Sequence, residues 1–125
     1  MVWYPTVDDI IEVNKLALEE SQDKHPHRLR RSRESLQSTI DRVKEEEGRG
    51  LTYQAGRFMK DVLGLHAFDN ANHRTAYELA RIFLKKNGIK AIKVPVEIAE
   101  PFTKSLAAKT IQEVEAWILE CMVEN

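Results

Sequence analysis

Residues 51–86, LTYQAGRFMKDVLGLHAFDNANHRTAYELARIFLKK, decide the fold of this chain. Ala55, Phe58, Met59, Val62, Leu63 and Leu65 recur at helical spacing on the way in, and Ala76, Leu79, Ala80, Phe83 and Leu84 do the same on the way out. That period belongs to two helices with one buried face each. Thr52 is placed to cap the first. The second starts at about Asn72 and ends in Lys85, Lys86 and Asn87 before Gly88. This ending is well formed, because cations suit the negative pole of a helix and glycine accepts the left-handed residue that follows. Between the two patterns stands HAFDNANHR, residues 66–74, with two histidines, an arginine and three amide or carboxylate side chains.

Toward the N-terminus, the spacing predicts a helix from about Val7 to Ser21. Thr6 and Asp9 form a capping-box pair, and Val7, Ile10, Ile11, Val13, Ala17 and Leu18 make its apolar face. QDKHPHRLRR, residues 22–31, holds a proline and no apolar period, so it reads as an exposed loop. A second helix is predicted from Ser32 to Glu47 through Leu36, Ile40 and Val43, stopping at Gly48 with Gly50 just beyond. Toward the C-terminus, IKAIKV at 89–94 reads as a short strand or an extended connector. Residues 96–107 read as helical turns interrupted at Pro101. Thr110 with Glu113 opens a last helix, whose apolar face runs through Ile111, Val114, Ile118 and Cys121 or Met122. Cys121 reads as a small buried hydrophobe. The fold expected is a single all-α domain over residues 1–125, a compact bundle of five to six helices.

Composition narrows the function classes. The chain has 125 residues, 42% hydrophobic and 31% charged, which is the make-up of a globular domain large enough for its own core. No apolar run approaches the roughly 20 residues of a membrane span, and MVWYPTVDD lacks the layout of a signal peptide. A cytoplasmic protein with no membrane partner is expected. With 19 Lys plus Arg against 20 Asp plus Glu, no global charge points to nucleic acid. The one basic cluster, Lys24 to Arg33, reads as a solvated face or as a docking loop beside the site. His66 and His73 belong to no zinc-type spacing of further Cys or His.

The loop itself can be read chemically. A helix N-terminus presents unpaired N–H groups and about half a positive charge, so Asp69–Asn70–Ala71–Asn72 leads into a ready phosphate site. Ala71 is small enough to let the backbone approach a ligand, and Asn72 is placed to cap the helix or donate to an anion. Arg74 stands in the first turn, against the helix dipole, where a bound phosphate or the neighbouring Asp69 or Glu78 would relieve it. His66, across the loop, is either a capping residue or a base for a hydroxyl. Phe68 between them is expected to anchor the loop in the core.

His66-Ala67-Phe68-Asp69-Asn70-Ala71-Asn72-His73-Arg74 resembles the loop of the Fic/Doc family, His-x-Phe-x-(Asp/Glu/Asn)-(Gly/Ala)-Asn-(Gly/Lys)-Arg, carried between two central helices. The opening YPTVDDIIEVNKLALEES and the run ARIFLKKNGIKAI are similar to its death-on-curing (Doc) branch, with the likeness weakest over residues 22–50. The resemblance implies transfer of part of a nucleoside triphosphate, ATP with Mg²⁺, onto a Ser or Thr hydroxyl of a target protein. Fic proteins typically move AMP. Doc proteins move the terminal phosphate, act as toxins on translation elongation factor Tu, and are held in check by a separate Phd antitoxin. By motif position, His66 is implied as the catalytic base, Phe68 as the loop anchor and Asn70 as the metal ligand, with Asp69 one residue before it. Ala71, Asn72, His73 and Arg74 are implied as the nucleotide-phosphate cradle.

Three departures colour that expectation. Asn70 replaces the usual carboxylate, and a neutral amide is a poorer ligand for Mg²⁺. His73 stands where Fic enzymes have glycine and Doc proteins lysine, and Tyr77 where many Fic proteins have a second arginine. Both favour phosphate over AMP transfer. Glu47-Gly48 and Glu124-Asn125 lack the Ser or Thr four positions earlier that marks the internal inhibitory helix of many Fic proteins. An inhibitor is therefore expected from another chain. The alternative expectation is a catalytically weak or inactive Fic-fold protein that acts by binding a partner.

Overall fold

The computed structural model describes residues 1–20 and 28–124. Among them are six helices: α1 (Val7–Glu20), α2 (Arg33–Glu45), α3 (Leu51–Leu65), α4 (Asn72–Lys86), α5 (Val96–Lys104) and α6 (Ile111–Trp117). The last runs on into a π-helical turn, Ile118–Met122. No sheet strand occurs among the described residues, only two isolated bridges. The expected all-α bundle is what the chain forms.

α3 and α4 are the central pair. They pack on each other along their length, while α1 covers α4, and α2 and α6 cover α3. The apolar faces meet in a core around Phe58, Phe68 and Phe83, with the Phe58 and Phe83 rings 5.1 Å apart. Two junctions tie the N-terminal segment to that core. The Tyr4 hydroxyl donates to Glu47 Oε1 at 2.8 Å and accepts from buried Gln54 at 2.8 Å. Asn87, after α4, accepts from Trp3 N at 2.7 Å and donates to Trp3 O at 3.0 Å.

The caps follow the sequence signals in part. Thr6 and Asp9 exchange hydrogen bonds at α1, as do Thr110 and Glu113 at α6. α4 closes with Gly88 at φ +85° and an Ile89 N–H to Leu84 O bond of 2.9 Å, which satisfies the last carbonyls. Thr52, however, does not cap α3. Gly50 at φ +96° turns the chain into the helix at Leu51, and the Thr52 hydroxyl donates instead to Glu115 of α6. Gly50 also settles the preceding stop: α2 ends at Glu45, and a 3₁₀ turn, Glu47–Arg49, carries the chain past Gly48.

Further differences concern the periphery. Pro101 does not interrupt α5. It sits sixth of nine residues, past the midpoint, so its missing N–H costs only the helical bond back to Glu97 O, and Ser105 N still reaches Pro101 O at 3.3 Å. Residues 89–94 form an extended connector, whose Lys90 O and Ile92 N pair with Glu124 N and Met122 O at 2.9 and 2.8 Å. Leu65 and Cys121 are half-buried, since each sits at the edge of its helix face. The expected end of α1 at Ser21, most of the exposed loop and the basic residues Lys24, His25 and His27 lie outside the described residues. No described helix is long and apolar enough to cross a membrane.

Candidate active-site loop

α3 delivers His66 at its C-terminal end. The residue takes a left-handed conformation (φ 48°, ψ 51°), its N–H closes onto Leu63 O at 3.0 Å, and its side chain lies exposed. Ala67 and Phe68 then dive into the core, both with no exposed surface. The chain resurfaces through Asp69 and Asn70, and Ala71, also left-handed (φ 62°, ψ 29°), turns it into α4. Two left-handed residues therefore bracket one buried phenylalanine. That geometry sets an exposed imidazole and the N-terminus of α4 on the two sides of a single short loop.

Asn72 is the clamp of this loop. Its Oδ1 accepts from Phe68 N at 3.1 Å and its Nδ2 donates to Phe68 O at 2.8 Å. Its side chain thus holds the backbone that buries Phe68, and its own backbone N–H is what it offers toward an anion at the helix start. Asn14, which the sequence reading passed over, supports the loop from α1. Buried to 1% exposure, it donates to Asn70 O at 2.9 Å and to Thr75 Oγ1 at 3.0 Å. Thr75 in turn donates to Ala71 O at 2.7 Å. The signal was there: Asn14 stands four residues after Ile10 and four before Leu18, a polar residue in the middle of a buried stripe.

The loop also gains a neighbour that the sequence reading left as exposed chain. Arg28–Arg31 returns alongside it: Asp69 N donates to Arg28 O at 3.1 Å, and Arg30 N donates to Ala67 O at 2.7 Å. This backbone pairing puts Leu29 opposite Phe68. It also carries guanidinium groups to Asp69, Arg28 at 3.7 Å and Arg30 at 3.5 Å.

Arg74 finds a partner other than the expected Asp69 or Glu78. Asp69 faces Arg28 and Arg30, and Glu78 pairs with Arg81. Arg74 instead reaches Glu20 Oε2 at 2.9 Å, at the far end of α1, where Lys93 also approaches the same oxygen at 3.7 Å. The hydrogen bond from Arg74 holds the Glu20 carboxyl below the usual carboxylate range. Glu20 thereby answers the misfit of an arginine at the positive end of α4. His73 is exposed, and its Nδ1 lies 2.9 Å from Thr103 O. A carbonyl accepts only, so Nδ1 carries the proton.

Behind His73 and Arg74, a cavity of about 180 Å³ opens between α4, the connector at Lys93 and Val94, and α5. Tyr77 forms part of its wall. Burial pushes the Tyr77 phenol up, against the hydrogen bond its oxygen accepts from Val94 N at 2.7 Å.

The loop fits a phosphate better than a protein-held magnesium. The α4 N–H groups and Arg74 suit an oxyanion. Asn70 offers a neutral amide, and the carboxylates beside the loop, Asp69 and Glu20, are already balanced, Asp69 by Arg28 and Arg30 and Glu20 by Arg74 and Lys93. Among the described residues no three His, Cys, Asp or Glu side chains come together as a metal cage. No family model matches the chain, and no curated protein matches it either.

Proposed function

We propose that the chain is a Doc-like, cytoplasmic protein-modifying transferase that moves the terminal phosphate of ATP onto a Ser or Thr hydroxyl of a target protein. It would act as the toxin of a pair whose antitoxin is a separate Phd-like chain. The observation that carries the reading is the loop itself: an exposed histidine ends one central helix, a buried phenylalanine follows, and a left-handed small residue opens the next helix with its N–H groups free of side-chain caps. This arrangement suits a base and an anion cradle that work on one substrate.

In the reaction, His66 takes the proton of the target hydroxyl as its oxygen bonds to the terminal phosphorus. The bond from that phosphorus to the bridging oxygen breaks, and ADP leaves. The α4 N-terminus and Arg74 hold the charge on the phosphoryl oxygens, and Arg74 exchanges Glu20 for the nucleotide. Mg²⁺ belongs to this reading as the ion that accompanies nucleotide phosphates and neutralises their charge. The chain's own part is to position and to take the proton.

The test is transfer from γ-labelled and from α-labelled ATP to elongation factor Tu and to cell lysate, with His66→Ala as control. Label from the γ position alone, lost in His66→Ala, is the expected result. Label from the α position alone replaces phosphate transfer by AMP transfer, and no label from either rejects both.

A second reading has its own observation. Asp69, Asn72 and Arg74 each have an intramolecular partner in the free chain. That favours a catalytically weak Fic-fold protein that acts by binding a partner. Asn70→Asp separates the two, because it should leave the biological effect of a binding module unchanged and raise that of a transferase.

A further inference from the structure

We infer that the cavity between α4 and α5 is a binding site for a phosphate monoester with a compact apolar body, and that Glu20 holds the phosphate's place in the free chain. The inference stands on the cavity; it shares Arg74 and the release of Glu20 with the transferase reading, and its test reads binding rather than transfer.

Two features of the cavity point to this ligand. At its rim, Arg74 from α4 and Lys93 from the connector converge on the same oxygen of Glu20, at 2.9 and 3.7 Å. Two cations thus face one carboxylate. A phosphate monoester carries about −1.5 to −2 at neutral pH and offers three acceptor oxygens, so it matches the pair better than the single charge of Glu20 does. Glu20 is not itself part of the cavity wall, and it leaves through an exposed ion pair that is cheap to break.

Inward from that rim the wall is mostly apolar, formed by Val94, Val96, Ala99 and the ring of Tyr77. Val96 is 57% exposed, so it presents apolar surface that nothing in the described chain covers. The polar groups of this wall are already engaged: the Tyr77 oxygen with Val94 N, His73 Nδ1 with Thr103 O, and the two carboxylates, Glu78 and Glu100, with Arg81 and Lys104. They hold the wall in shape and leave the hydrophobic surface to receive the ligand's body. A volume of about 180 Å³ suits an aryl or short alkyl group.

Phenyl phosphate is the probe, with inorganic phosphate and benzoate beside it, titrated by isothermal calorimetry and by amide shifts in NMR. Phenyl phosphate is expected to bind at least about tenfold tighter than either, because only it fills both halves of the site. Lys93→Gln should weaken it about tenfold. Val96→Asp should abolish it, and Glu20→Gln should tighten it severalfold by removing the competitor. Val96 is exposed, outside the 66–74 loop and in contact with no group the transfer reaction uses, so Val96→Asp leaves the transferase test untouched. The inference is overturned if phenyl phosphate shows no saturable binding. It is equally overturned if inorganic phosphate binds as well, or if Lys93→Gln and Val96→Asp leave the affinity unchanged. Weaker binding in Glu20→Gln would remove Glu20 from the place assigned to it.

Discussion

Ala71 holds φ 62° and ψ 29°, a left-handed conformation that costs a residue with a Cβ roughly 1–2 kcal/mol. The surroundings enforce it: Asn14 fixes Asn70 O on one side, and Thr75 holds Ala71 O on the other. Glycine would take the same conformation without that penalty but would lose more freedom on folding. Ala71→Gly is therefore expected to raise stability, by no more than about 1 kcal/mol. A urea midpoint that falls would show that the turn is unstrained. Asn72 stands at the opposite extreme, because both ends of its amide bond the backbone of a fully buried residue. Asn72→Ala removes two such bonds and should cost about 2 kcal/mol in urea unfolding. An unchanged midpoint would mean that water replaces the clamp and that Asn72 is free to serve a ligand instead.

At the scale of elements, the position of the loop depends on how closely α3 is held from both sides. Gly56 lies on the α3 face toward α6, where an added Cβ would meet Ile111 Cδ1 at 3.3 Å and Val114 Cγ1 at 3.4 Å. The two helices approach this closely because position 56 has no side chain. Gly56→Leu is expected to push α6 away and to cost about 1–3 kcal/mol, read as a lower thermal midpoint. A midpoint that rises would show that the α3–α6 contact is not tight. The same element pair explains why Thr52 does not cap α3. Its hydroxyl is taken by Glu115 of α6, and the helix start passes to Gly50, whose positive φ does the turning. Cap signals are local, so they fail where a neighbouring helix offers the side chain a better partner.

For the molecule as a whole, the acid side of stability is set by carboxylates in unlike settings. Asp61 on α3 is mostly buried, and burial raises its carboxyl above the ordinary range, against the pull of Arg57 and Arg42. A group with a raised folded pKa adds stability below its unfolded pKa and loses that contribution as pH rises through the folded value. Asp61→Asn should then be as stable as the parent chain near pH 7 or more so, and should lose the gain that the parent chain shows on mild acidification. Parallel unfolding curves for the two chains between pH 7 and about 4, the ordinary carboxylate range, would remove this assignment. Glu20 acts in the other direction. Its lowered carboxyl contributes above its unfolded pKa, and the contribution fades as pH falls through the folded value. By itself, the sequence determined the helices and their order, the loop between the central pair, and the burial of Phe68, Phe58 and Phe83. Those follow from apolar period, and period is a property of neighbours along the chain. It also marked His66, Asn72 and Arg74 as the residues to watch. Tertiary structure alone decided what each is bonded to: Asn72 turned inward to Phe68, Arg74 given to Glu20, Asp69 to two arginines from a segment read as open loop, and Asn14 set under the turn. A local pattern can mark a residue, as the polar Asn14 in a buried stripe is marked, but it cannot name partners 54 and 61 residues away, because which side chains meet is set by how the helices pack.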